Sequence, residues 1–359
     1  MITLARLHLD RPLLYALAAV GCLSCVILYS ASAGDLGALG RHLVRFGIGF
    51  VVMFTLAQLR PETLQRAAPG LYVIGVALLV AVLMVGSVSK GARRWLDFGA
   101  FTFQPSEIMK LVLPMMLGWF FARDSLPPRS WRLAVGALLI LVPVGLIAKQ
   151  PDLGTAILVM GAGLAVLFLT GMHWKIITGI AGLVAVLLPI GWHFMHDYQR
   201  QRVYTLLDPA SDPLGAGYHT IQSMIAVGSG GFFGKGWFGS SQAHLDYLPE
   251  SHTDFIFAVF AEEFGLLGIL ALLGLYLFIV GRGLAIAYYA QTTFNRLTAG
   301  GLTLIFFFYF FVNIGMVTGV LPVVGVPLPL VSYGGSATVT LMAAFGMLMS
   351  IHTHRKIAA

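Results

Sequence analysis

The string His252-Thr253-Asp254-Phe255 sets a carboxylate at the head of a strongly apolar run. An Asp at a helix start has two uses. It caps the helix by accepting a backbone N–H bond, or it takes a proton from a substrate hydroxyl. Glu107 and Lys110 stand three apart with Glu on the N-terminal side, a spacing that pairs them on one helix face. They form either a structural ion pair near a membrane interface or the wall of a polar cavity that meets substrate. Glu262 and Glu263 lie inside the run that Asp254 opens, and adjacent helix positions point about 100° apart. At least one of them is expected to face a polar interior or a Lys or Arg partner, in a structural role.

Other patterns carry less chemistry. Gly234-x-Gly236-x-x-Gly239 formally fits a dinucleotide fingerprint, but no strand precedes it and no βαβ unit surrounds it. Backbone N–H groups of the glycine-rich stretch 228–236 remain available in principle for a phosphate, with plain flexibility as the alternative. The histidines lack metal-site spacing, so no metal site is assigned. Cys22 and Cys25 imitate a redox pair inside an apolar run, where thiols are packing.

These groups need a scaffold, and the composition names its solvent. Of 359 residues, 58% are hydrophobic and 10% charged, against roughly 25% charged in a soluble domain. Residues 12–34, 67–89, 153–174, 176–196 and 297–354 contain no Asp, Glu, Lys or Arg. About 20 apolar residues span a bilayer core as a helix. A soluble enzyme, a nucleic-acid-binding protein and a disordered chain are thereby excluded. The expected fold is an all-α polytopic membrane protein, a single integral domain over 1–359 of about ten transmembrane helices. Their expected positions are 12–30, 43–59, 71–89, 106–121, 133–148, 153–170, 176–195, 255–281, 298–319 and 334–351, with one long extracytoplasmic loop at 196–254. The proline and glycine cluster from Pro322 to Gly335 divides the last long run. Within the loop, Tyr218, Ile221, Met224 and Ile225 have helical spacing and predict a segment on the membrane surface.

The net charge of +7 reads as loops facing anionic lipid, not as a nucleic-acid footprint. With an inside N-terminus, inner segments carry Arg60, Arg66, Arg123, Arg129, Arg132, Lys175, Arg282 and others. Short outer segments carry only Arg41, Arg45, Lys90, Arg93, Arg94 and Lys149. Both termini are therefore expected in the cytoplasm. Acidic residues show the opposite bias: Asp35, Asp152, Glu250 and Asp254 all fall outside, so chemistry is expected on that face.

Four strings together resemble the signature of the shape, elongation, division and sporulation (SEDS) family of bacterial membrane proteins. They are Gly91-Ala92-Arg93-Arg94-Trp95-Leu96 with Phe103-Gln104-Pro105-Ser106-Glu107-x-x-Lys110; Lys149-Gln150-Pro151-Asp152-Leu153-Gly154-Thr155; Leu248-Pro249-Glu250-x-His252-Thr253-Asp254-Phe255; and Asn313 through Gly319-Val320-Leu321-Pro322-x-x-Gly325 to Leu330-Val331-Ser332-Tyr333-Gly334-Gly335-Ser336. Asp212-Pro213-Leu214-Gly215-Ala216-Gly217-Tyr218-His219 resembles the rod-shape branch more than the division branch. Arg11 stands where the family more often has an aromatic residue.

The resemblance implies a peptidoglycan glycosyltransferase that polymerises lipid II at the outer face of the bacterial cytoplasmic membrane during elongation. Asp254 matches the position on which polymerisation depends, which favours the base over the cap. Substrate or cavity candidates are Glu107, Lys110, Asp152, Arg93, Arg94, Arg200, Arg202, Lys235, His252 and Ser332. Cationic members of that set would stabilise the leaving pyrophosphate. No dedicated cofactor is implied; a loosely bound Mg²⁺ or Mn²⁺ would share the task. The implied partners are a class B penicillin-binding protein transpeptidase, other elongation-machinery membrane proteins and membrane lipid, with no nucleic acid. The competing readings are a lipid II flippase and a division-branch polymerase.

Overall fold

The computed structural model describes residues 7–89, 92–97, 102–179, 197–209, 216–245, 247, 248 and 250–355, with isolated positions at 182, 186 and 189. It is predominantly helical. The elements are α1 (Arg11–Ala31), α2 (Leu36–Gln58), α3 (Pro61–Val85), strands β1 (Ser87–Ser89), β2 (Ala92–Asp97) and β3 (Thr102–Phe103), α4 (Pro105–Phe121), α5 (Ser130–Lys149), α6 (Leu153–Leu169), α7 (Asp197–Leu207), α8 (Ala216–Ser229), α9 (Ser241–His244), α10 (Ile256–Tyr288), α11 (Thr293–Val317) and α12 (Gly335–Thr353). Among the described residues, seven helices are long and apolar enough to cross a membrane, and α6 is a shorter apolar one. The expected span 176–195 lies largely outside the described residues.

Helix starts follow local capping chemistry. Asp10 accepts from Leu13 N–H at 3.0 Å and Asp35 from Gly37 N–H at 2.7 Å. Asp152 caps α6 through Thr155 N–H at 3.2 Å, and Pro61 and Pro105 occupy first-turn positions of α3 and α4. These caps correct two expected boundaries. Helix α2 begins at Leu36 and not 43, and α3 begins at Pro61 and not 71, because polar first turns are helical here despite their charges. Residues 87–89, expected to end the third span, turn instead into an antiparallel sheet in the order β1-β2-β3, with Val88 opposite Arg93 and Leu96 opposite Phe103.

The loop 196–254 is also more structured than expected, since α7, α8 and α9 lie within it. The helical spacing at 218–225 is real: α8 packs on protein along one face, where Ser223 Oγ donates to Val317 O at 2.9 Å, and leaves Met224 and Ile225 exposed. Helix α10 contains a break at Gly265, whose φ of +61° lies in the left-handed region. The glycine-rich stretch fills that break. Lys235 N–H donates to Glu262 O at 2.9 Å and Gly236 N–H to Glu263 O at 3.0 Å, while Leu266 N–H donates to Gly231 O at 3.0 Å. A side chain at Gly234 (φ +81°) would collide with Glu263 O, so only glycine fits. The Lys235 and Gly236 amides are thus spent on helix carbonyls, and the stretch is packed in place by them.

Both chain ends meet at the end of the bundle opposite Asp254. Arg282 Nη2 donates to Asp10 Oδ2 at 2.5 Å, His352 Nε2 lies 3.2 Å from the same oxygen, and the His8 and His354 rings stack at 3.9 Å.

Candidate active site

Helices α4, α6, α10 and α12 all begin around one cavity of about 360 Å³, whose wall includes Arg94, Glu107, Lys110, Asp152, Glu250 and Asp254. Asp254 lies one residue before Phe255, the cap position of α10, which makes no side-chain cap bond. Its half-buried carboxylate lines the cavity, and Oδ2 lies 3.4 Å from where a Cβ at Gly325 would stand.

The backbone around Asp254 is held by the proline and glycine segment. Asn313 Nδ2 donates to Asp254 O at 2.8 Å and Val326 O at 2.7 Å. Ser332 Oγ donates to Thr253 O at 2.6 Å and accepts from Leu328 N–H at 2.7 Å. Tyr333 N–H donates to His252 O at 3.0 Å. Ser332, a candidate for substrate, is buried and serves as this clamp.

On the facing wall, Lys110 Nζ donates to Glu107 Oε1 at 2.5 Å and to the Tyr309 hydroxyl. The pair is buried, yet Glu107 Oε2 has no hydrogen-bond partner among the described residues. Asp152 accepts from Gln104 Nε2 at 3.0 Å and lies 3.9 Å from Arg94 Nη1, while Arg94 Nη2 donates to Pro151 O at 2.5 Å. Glu107 and Lys110 thus form an ion pair that is also part of the cavity wall.

The other candidates are elsewhere. Lys235 Nζ pairs with Glu262 Oε1 at 2.6 Å, away from the cavity wall. Glu262 also accepts from Ser240 Oγ at 2.6 Å and Ser241 Oγ at 2.8 Å, which gives it the structural Lys-paired role expected of it. Glu263 accepts from the Ser30 hydroxyl. Arg93 is exposed on β2, Arg200 lies on α7, and the side chain of Arg202 lies outside the described residues. His252 faces a neighbouring cavity. Tyr309 and Trp95, both in the wall, were not foreseen as site residues. The one hint to Tyr309 was a lone hydroxyl within the phenylalanine run 306–311.

A bundle of membrane-length helices with a charged cavity at one end defines a polytopic membrane protein. The family model for FtsW, RodA and SpoVE, described as cell cycle protein, matches residues 10–357, and the chain belongs to that family. It is 57% identical over 353 residues to "Peptidoglycan glycosyltransferase MrdB" of Escherichia coli K12, covering 98% of this chain and 95% of that one. It is 36% identical over 323 residues to the MrdB of Helicobacter pylori J99, covering 88% and 83%. Among solved structures it resembles a chain described under "Structural coordination of polymerization and crosslinking by a peptidoglycan synthase complex", with TM-score 0.84, 35% identity and 97% and 99% coverage. It also resembles the rod shape determining protein RodA of Thermus thermophilus, with TM-score 0.74, 33% identity and 97% and 98% coverage.

Proposed function

We propose that this chain is a peptidoglycan glycosyltransferase of the elongation branch, polymerising lipid II at the outer face of the cytoplasmic membrane. Near-full-length identity to MrdB supports the activity and the branch. The observation that carries the site is the Asp254 carboxylate in a polar cavity that also holds Arg94 and Lys110. Asp254 takes the proton from the acceptor 4-hydroxyl as that oxygen attacks the anomeric carbon of the donor from the face opposite pyrophosphate, inverting it. Arg94 and Lys110 stabilise the charge that develops on the leaving group.

Among the described residues the wall carries four carboxylates and only two cations, and one oxygen of Glu107 is unpartnered. This all-oxygen donor set suits a hard divalent ion held partly by substrate phosphate. Among the described residues no group of three or more His, Cys, Asp or Glu side chains is placed to hold a metal ion; Mg²⁺ or Mn²⁺ would be held chiefly by substrate phosphate, with Glu107 Oε2 as a protein ligand, and when bound would supply further charge neutralisation. The full arrangement has ten spans, both termini in the cytoplasm, and a class B penicillin-binding protein beside the chain. Likeness to a chain from a complex that coordinates polymerization and crosslinking supports that partner.

The test is Asp254→Asn, purified in detergent and given lipid II with its partner and Mg²⁺. Polymer should fall about 10²–10⁴-fold, the contribution of a positioned base. A folded variant that still polymerises at the wild-type rate removes Asp254 from this role.

A further inference from the structure

A second cavity, about 630 Å³, opens at the same end of the bundle between the α1–α2 turn, α9 and the turn 250–252. Glu250 and Tyr333 line both cavities and so form the wall between them. That wall is stiff. The Tyr333 hydroxyl accepts from Arg41 Nε at 2.8 Å, and the Arg45 guanidinium lies 4.2 Å above the Tyr333 ring centre.

The two cavities differ in what they can bind. The Asp254 cavity contains Arg94 and Lys110. Among the described residues lining the second, Arg41 is the one Lys or Arg, and it is engaged with Tyr333 and with Asp35 at 3.5 Å. The carboxylates of Asp35 and Glu250 and the rings of His244 and His252 complete that surface. It offers hydrogen bonds to neutral hydroxyls and little to an anion. Glycosyl transfer between two lipid-borne sugars needs both at once, held within reach of one base. Each cavity falls in the size range of a small-ligand site, so the two together offer separate places for two saccharides.

We propose that the second cavity seats the acceptor saccharide and presents its hydroxyl across the Glu250–Tyr333 wall, while the donor pyrophosphate lies with Arg94 and Lys110. This rests on the reading of Asp254 as the base. The acceptor oxygen forms the new bond to the anomeric carbon and its proton passes to Asp254. The bond from that carbon to pyrophosphate breaks, and the lipid pyrophosphate leaves with the electron pair.

The test separates the two substrates. A lipid-linked tetrasaccharide with its terminal 4-hydroxyl methylated serves only as donor, and lipid II is supplied as acceptor. Ser251→Trp, which fills the second cavity, should raise KM for lipid II at least about tenfold while the donor KM stays within about twofold. An equal rise for the donor, or no change in either, overturns the assignment. Should that variant not fold, wild-type protein with a photoreactive group on the acceptor sugar decides. Labelling at 244–252 supports the assignment, and labelling confined to the Arg94 and Lys110 peptides ends it. Failure of the wild type to join these substrates, or full activity of Asp254→Asn, would instead reject the underlying reaction.

Discussion

Two buried carboxylates at the same end of this bundle live opposite lives. Glu262 has both oxygens engaged, by Lys235, Ser240 and Ser241, and anchors the stretch that fills the break in α10. Glu107 has one oxygen on Lys110 and leaves the other without a partner among the described residues, beside a cavity. A buried charge whose bonds are all made by its own chain is framework. One left half-bonded in a recess retains bonding capacity for something that arrives. Sequence alone presented both as acids in apolar helices, and only their surroundings tell them apart.

The contrast can be broken in order of expected effect. Asp254→Asn, on the cavity wall with Glu107, should lower polymerisation about 10²–10⁴-fold while leaving the thermal midpoint in detergent within a few degrees of wild type. Glu262→Ala should do the reverse. It frees the glycine-rich stretch and leaves the buried Ser240 hydroxyl without its acceptor, at a cost of roughly 1–3 kcal/mol, while Lys235 is left to water. Thermal unfolding should show the loss, with activity per folded molecule retained. Gly234→Ala should cost about 1–3 kcal/mol by forcing a side chain into a left-handed backbone against Glu263 O. A wild-type midpoint would show that the break in α10 is slack.

The smallest effect concerns Asp10 at the opposite end. Burial raises its carboxyl, but hydrogen bonds from Arg282 and Leu13 outweigh this, and it stays below the ordinary value of 3.8. Its stabilisation is therefore complete above that value and is lost as pH falls through the lower folded value. Asp10→Asn should flatten that acid-side loss in a stability profile, and an unchanged profile would show that the clamp contributes nothing.

Much of the scaffold was legible because charge-free runs report lipid directly. What failed to show were polar first turns, as at 36–42 and 61–70, where a cap and not hydropathy decides the start. The sheet at 87–103 was invisible because its strands are short and lie between two apolar runs. At the site, spacing brought out Glu107 with Lys110, and family strings brought out Asp152 and Asp254. Spacing could not say that Lys235 is consumed by Glu262 or that Ser332 clasps Thr253, since both contacts join segments far apart in the chain. Tyr309 was hidden for the opposite reason: nothing near it in sequence marks its hydroxyl as the neighbour of Lys110.

The break at Gly265 divides α10 into a short and a long piece. Residues 266–288 alone rise about 34 Å at 1.5 Å each, the thickness of a hydrocarbon layer. A membrane-length helix is thus complete without the piece from 256 to 264, and both adjacent glutamates belong to that extra piece.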